Sequence, residues 1–189
     1  VPKNELASWE IGPQEADRSK GEVILSKRNE LGQFSNLSSN SFILDGIKYK
    51  SLEGLWQGMK YPESPDDERL KNPKVIWPYT REQVYAMDGF AAKDAGDLAN
   101  KNMKELGISW ITYKGKKIDY KSTGKVEHYD IIYRASVAKV EQNPDLKKLL
   151  LSTGQLKFLP DHAQQPGAAP AYLYFDIYMK IRDELRQKP

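Results

Sequence analysis

Ser41-Phe42-Ile43-Leu44-Asp45-Gly46-Ile47-Lys48-Tyr49-Lys50, followed at once by Ser51-Leu52-Glu53-Gly54-Leu55-Trp56-Gln57-Gly58-Met59-Lys60-Tyr61, is the stretch that decides the fold. Two strand-like runs, 42–44 and 47–49, flank Asp45-Gly46. Such a dipeptide predicts a hairpin, because both central positions of a type I′ turn need positive φ. Ser51 is placed to cap a helix. At about 100° per residue, Leu52, Leu55 and Met59 share one stripe that faces a core. Glu53, Trp56, Gln57 and Lys60 fall on the adjoining face. Gly54 and Gly58 occupy most of the rest. Each interior Gly costs a helix about 1 kcal/mol relative to Ala, so two of them one turn apart leave room for a neighbouring helix or a ligand.

Upstream, residues 1–21 are polar and carry Pro2, Gly12, Pro13 and Gly21, which reads as an N-terminal arm with one short packed stretch from Leu6 to Ile11. Val23-Ile24-Leu25 is a brief β-type run. Downstream, Pro62 and Pro65 end the Glu53 helix and a Pro-rich loop follows to residue 79. Thr80-Arg81-Glu82-Gln83 has the form of a capping box and opens a helix. A further helix spans about Ala91 to Leu106, closed by Gly107. Residues 109–124 read as a β-excursion or loop. Helices from about Lys125 to Gln142, from Pro144 to Gly154, and from about Tyr174 to Gln187 complete the chain, with a Pro/Ala/Gln/Gly loop at 159–171. The expected fold is α+β: a predominantly helical single domain over 22–189 with a small N-terminal β-hairpin or sheet.

Composition narrows the chemistry. The chain of 189 residues is 39% hydrophobic and 29% charged, an ordinary globular balance large enough for one core. No apolar run approaches the roughly 20 residues of a membrane span. Without cysteine there is no thiol catalysis and no Cys-ligated zinc, and two histidines, His128 and His162, do not make a multi-His metal site. A net charge of +3 permits an anionic partner without demanding one. The first residue is Val1, which reads as processing or truncation. Cytoplasmic localisation is the expectation, although absence of cysteine fits either side of a membrane. No P-loop, dinucleotide-binding or HExxH pattern occurs.

The motifs together resemble the NADAR family (NAD- and ADP-ribose-associated, or YbiA-like), in a divergent branch. The resemblance rests on Phe34-Ser35-Asn36, the hairpin Leu44-Asp45-Gly46-Ile47-Lys48-Tyr49, and Glu53 with Trp56-Gln57 and Lys60-Tyr61. It continues through Ala92-Lys93 with Gly96, Arg134-Ala135, Ala138-Lys139, Asn143-Pro144 and Leu149 to Gly154, covering about 23–186. Two departures stand out. Gly124 occupies the place of a family Trp, for which Trp110 is the substitute candidate. The family's Asp-x-x-Trp-Gly segment is replaced by Leu159-Pro160-Asp161-His162, which makes Asp161 the candidate acid.

The resemblance implies hydrolysis of an N-glycosidic bond between ribose and a base, with no cofactor and no metal. The substrate would be phosphorylated or ADP-ribosylated: a ribosylamino-pyrimidine intermediate of riboflavin synthesis, or ADP-ribosylated guanine, either free or within nucleic acid. Breaking such a bond builds oxocarbenium character at C1′, which a carboxylate stabilises while it orients water. Glu53 is the candidate; the ordinary alternative is a surface Glu paired a turn or two along its helix. Lys60 and Lys93 can bind phosphate or act as desolvated amines at C1′ of an opened ribose, against the ordinary reading of solvated lysines. Trp56 is a base platform or a core residue. Asn36 and Gln57 can read sugar hydroxyls, though Asn36 equally suits a turn. Arg28 is a phosphate contact candidate. Asp161 and His162 can supply a second acid or base, or Asp161 can cap a turn. His128 is expected to pack or cap. The basic, aromatic stretch from Tyr113 to Lys125 can approach a nucleic-acid backbone or form a solvated loop. Two rival readings follow: a non-catalytic ADP-ribose or nucleotide-binding module, and a nucleic-acid-binding protein. No membrane partner is implied, and the sequence does not speak to oligomeric state.

Overall fold

The computed structural model describes residues 1–188. In chain order its elements are β1 (Glu22–Ile24), β2 (Phe42–Leu44), β3 (Ile47–Tyr49), α1 (Leu52–Gly58), α2 (Arg81–Tyr85), α3 (Gly89–Leu106), β4 (Ile111–Tyr113), β5 (Lys116–Ile118), α4 (Lys125–Glu141), α5 (Pro144–Ser152), β6 (Lys157–Leu159) and α6 (Tyr174–Gln187). This is a helix-dominated α+β fold with three small two-stranded sheets among the described residues. The chain forms two compact units, one of Val1–Asn36 plus the chain from Asn143 on, the other of Leu37–Gln142.

The second unit is built on the Asp45-Gly46 hairpin. Both residues take positive φ, 50° and 80°, and β2 pairs antiparallel with β3. Ser51 then caps α1: its Oγ accepts from the Gly54 N–H at 2.9 Å and donates to the Met87 carbonyl at 2.8 Å. The two glycines of α1 serve packing. A Cβ at Gly54 would lie 2.7 Å from the Met87 carbonyl oxygen, and one at Gly58 would lie 2.3 Å from the Tyr85 ring. Neighbouring protein, not a ligand, fills that space. Thr80 and Gln83 close both halves of the capping box at the start of α2. Tyr61, Val84, Ala95 and Ala99 form a core to which Trp77 and Met87 add.

The excursion at 109–124 is a second hairpin, β4 with β5, turning at Lys114 and Gly115 with φ of 50° and 76°. Arg69 and Arg81, both buried, tie it to the end of α1. Each donates to Thr112 Oγ1 at 2.6 Å and to the Met59 carbonyl, at 3.2 Å from Arg69 and 3.0 Å from Arg81. Arg81 also reaches the Tyr61 carbonyl at 2.6 Å. On α4, Lys139 is fully buried and donates to Ser38 Oγ at 2.9 Å.

In the first unit, β1 pairs with β6 in parallel, Val23 opposite Phe158. The loop expected from residue 159 starts one residue later, since Leu159 still belongs to β6. Phe34 packs on Phe158 and Tyr178 of α6, with ring centroids 5.9 and 4.9 Å apart. The N-terminal residues are held by an Ile11 N–H donating to the Asp161 carbonyl at 2.7 Å and by an isolated bridge between Glu10 and His162.

Candidate functional site

The polar face of α1 lies against α3. Glu53, Gln57 and Lys60 repeat at intervals of four and three residues, and so do Lys93, Asp97 and Asn100. Gln57 rests on Gly96, and Lys60 Nζ donates to Asn100 Oδ1 at 2.8 Å. At the other end, Glu53 Oε1 accepts from Gln57 Nε2 at 2.8 Å. Lys60 Nζ also stands 4.7 Å from the centroid of the Trp56 ring, a cation–π contact. Asp97, Asn100 and His128 were not singled out as site residues from the sequence; for the first two, the signal is their helical spacing from Lys93.

Electrostatics make this cluster unusual. Burial pushes the Glu53 carboxyl above the usual carboxylate range, against the opposing pull of the Gln57 hydrogen bond and the Lys60 and Lys93 charges. Burial likewise pushes the Lys60 amine down to about 8, although Glu53 and Asp97 favour its charge. A carboxyl and an amine shifted toward each other in one place make this cluster a candidate functional site.

Trp56 is already occupied. His128 stacks on it at 4.4 Å and Tyr120 meets it edge-on at 5.2 Å. Burial and the nearby Lys60 charge push the His128 imidazole down to about 4, which leaves it neutral at physiological pH. Gly124 has no room for a side chain, since a Cβ there would lie 2.6 Å from Ile118 and 2.9 Å from the Asp119 backbone. Trp110 sits just before β4 with Arg69 4.9 Å and Lys117 4.4 Å from its ring, and lines a cavity of about 250 Å³ with Glu68, Leu106 and Ile108. Trp110 thus meets Arg69 and Lys117, while Glu53 bonds to Gln57 and feels the charges of Lys60, Lys93 and Asp97.

Arg28, Asn36, Asp161 and His162 belong to the first unit. Arg28 donates to both carboxylate oxygens of Glu10, at 2.5 and 2.7 Å, and to the Glu5 carbonyl at 2.8 Å. Asn36 lies half-buried in the loop after a 3-10 turn. Asp161 is buried, accepting from Lys27 Nζ at 3.1 and 3.0 Å and pairing with His162 Nδ1 at 2.9 Å. Burial alone would raise its carboxyl; His162 and Lys27 outweigh burial and hold it below the usual range. The carboxylate is thus shared between the Lys27 amine and the His162 imidazole.

The basic hairpin is largely neutralised in place. Lys114 pairs with Asp45 at 3.6 Å, Lys116 with Glu127 at 2.8 Å, and Lys117 with Glu68. Among the described residues no group of three or more acidic or His side chains is arranged to hold a metal ion, and no helix is long and apolar enough to cross a membrane.

The structure is a helix-dominated α+β fold in which half-buried Glu53 and buried Lys60 share the seam where α1 meets α3. Its architecture is similar to that of the E. coli protein YbiA, whose solution structure superposes with a TM-score of 0.54 at 18% identity, covering 88% of this chain and 87% of that one. At that identity the likeness concerns the fold. No family model and no curated protein matches the chain.

Proposed function

We propose that the protein is an N-glycosidase that hydrolyses the C1′–N bond of a phosphorylated ribosyl or ADP-ribosyl substrate. The observation that carries this reading is the Glu53 carboxyl, raised by burial and set beside Lys60 in the α1–α3 seam. The C1′–N bond breaks with its electron pair leaving on the base, and positive charge builds on the ribose. Glu53, ionised, faces that charge and takes a proton from the water that adds to C1′. A carboxylate made more basic by burial is better suited to that proton transfer than an ordinary one. Lys93, exposed at the start of α3, is placed to meet phosphate, and Lys60 keeps Glu53 ionised. The YbiA-like architecture supports the reading, because the resemblance in residues 34–61 to NADAR proteins points to the same chemistry.

The burial of Lys60 favours a second role for that residue: a partly neutral amine can itself add to C1′ of a ring-opened ribose. A non-catalytic nucleotide-binding module gains nothing from a carboxylate in an anion pocket. A nucleic-acid-binding role through the 113–125 stretch is disfavoured by the ion pairs that occupy three of its five lysines, Lys114, Lys116 and Lys117.

Incubation with ADP-ribosylated guanosine and with a ribosylamino-pyrimidine phosphate tests the proposal. Base release is expected with one of them, and Glu53→Ala should lower it by about two to four orders of magnitude. Base release that survives the substitution would sink the assigned mechanism.

A further inference from the structure

Gln57 is an odd amide. Its side chain is 93% buried, since only 7% of it is exposed, and its Oε1 has no hydrogen-bond partner. Buried acceptors without a partner are costly and rare, and where one persists something else holds the group in place. The other end of the amide shows what is gained: Nε2 donates to Glu53 Oε1 at 2.8 Å.

The amide reaches that position only because α3 has no side chain where it lies. A Cβ built on Gly96 would fall 2.0 Å from Gln57 Oε1, 2.1 Å from Cδ and 2.6 Å from Nε2. The three nearest atoms such a methyl would strike all belong to this one side chain. Gly96 has no positive φ to explain its choice, and a mid-helix glycine is otherwise unfavourable.

We propose that Gly96 is a positioning residue: it forms the seat on α3 that presses the Gln57 amide against Glu53 and so fixes the orientation of that carboxyl. Gln57 then works within the protein, as the hand that holds Glu53, and not as a reader of sugar hydroxyls. The link to turnover rests on the glycosidase reading of Glu53; the seat itself does not.

The test is a double-mutant cycle read by NMR. The midpoint of Glu53 is followed through its side-chain carboxyl carbon during a pH titration of wild type, Gly96→Ala, Gln57→Ala and the double variant. The Gln57 N–H favours ionised Glu53, so losing it raises the midpoint by about one pH unit, a tenfold fall in the ionised fraction. The expected result is the same rise in Gly96→Ala as in Gln57→Ala, with no further rise in the double variant. If Gly96→Ala alone does not fold, the truncated Gln57 of the double variant leaves space for the new methyl, and recovery of folding supports the seat. An unchanged midpoint in Gly96→Ala, a rise that adds to that of Gln57→Ala, or a double variant that still fails to fold overturns it. Where the wild type turns over substrate, both single variants shift the acid limb of the rate profile upward together. Absence of turnover in wild type counts against the glycosidase reading, while the titration still decides the role of Gly96.

Discussion

Replacing Lys139 with methionine exchanges a buried amine for an apolar chain of similar length, and the consequence depends on pH in a calculable way. Lys139 has no exposed surface, and burial pushes its amine from 10.5 down to about 7. In the unfolded chain the same amine binds its proton up to about 10.4. Between those values the unfolded state holds one proton more than the native state, so wild-type stability rises with pH across that window. One proton is worth a little over 1 kcal/mol per pH unit, and the window from about 7 to 10.5 spans on the order of 5 kcal/mol. Lys139→Met removes that dependence. It also strips Ser38 Oγ of its donor, a smaller and pH-independent loss. Urea denaturation followed by Trp fluorescence from pH 6.5 to 10 gives the stability of each protein. The difference between the two cancels contributions common to both, such as Lys60 and the buried tyrosines. The methionine variant should be the more stable near pH 7, and its advantage should shrink by a little over 1 kcal/mol for each pH unit. A difference that stays flat from pH 7 to 10 would show the amine charged in the core and refute the reasoning.

Gly58→Ala drives a methyl to 2.3 Å from the Tyr85 ring, so urea melts should show a loss of about 1–3 kcal/mol despite the better helix propensity of alanine. Arg81→Met leaves the buried carbonyls of Tyr61 and Thr112 short of donors, which should cost about 2–5 kcal/mol in the same assay. The rate of base release should rise with pH through a value above the ordinary carboxylate range, as Glu53 ionises, and then stay level through about 8, where Lys60 loses its proton. A rate that climbs through pH 8 instead would make Lys60 the amine nucleophile.

The local half of this structure was legible because local rules govern it. Asp45-Gly46 fixed the hairpin through its backbone sterics, Ser51 and Thr80 through their hydrogen bonds to the helices they open, and Gly107 through its left-handed turn with φ of 67°. Non-local pairing left no such mark. Three residues at 22–24 and three at 157–159 form a parallel pair across most of the chain, and neither segment is long enough for its alternation to announce a partner. The site divides the same way. Glu53, Gln57 and Lys60 stood out as one face of a helix, but the choice of α3 as the surface they meet depends on the seat at Gly96 and on Asn100, which no spacing within α1 encodes. Gly124 illustrates the opposite case, a departure from a family pattern that becomes intelligible only when Ile118 and Asp119 are seen to fill the space.

Arg69 and Arg81 grip the carbonyl of Met59, in the peptide unit before Lys60, and in the unit after it the Tyr61 N–H donates to the Gly58 carbonyl at 3.0 Å, so the peptide units on both sides of Lys60 are anchored in the interior. The amine at 60 therefore swings only from its own Cα, and Asn100 and Trp56 restrict even that. The entropy of placing it is spent when the chain folds, not when a ligand arrives. On the glycosidase reading, a substrate would meet a preorganised amine at this site, and selection among substrates would fall to how well their own geometry matches it. Loosening the grip at Arg81 should accordingly blunt discrimination between close analogues before it abolishes binding.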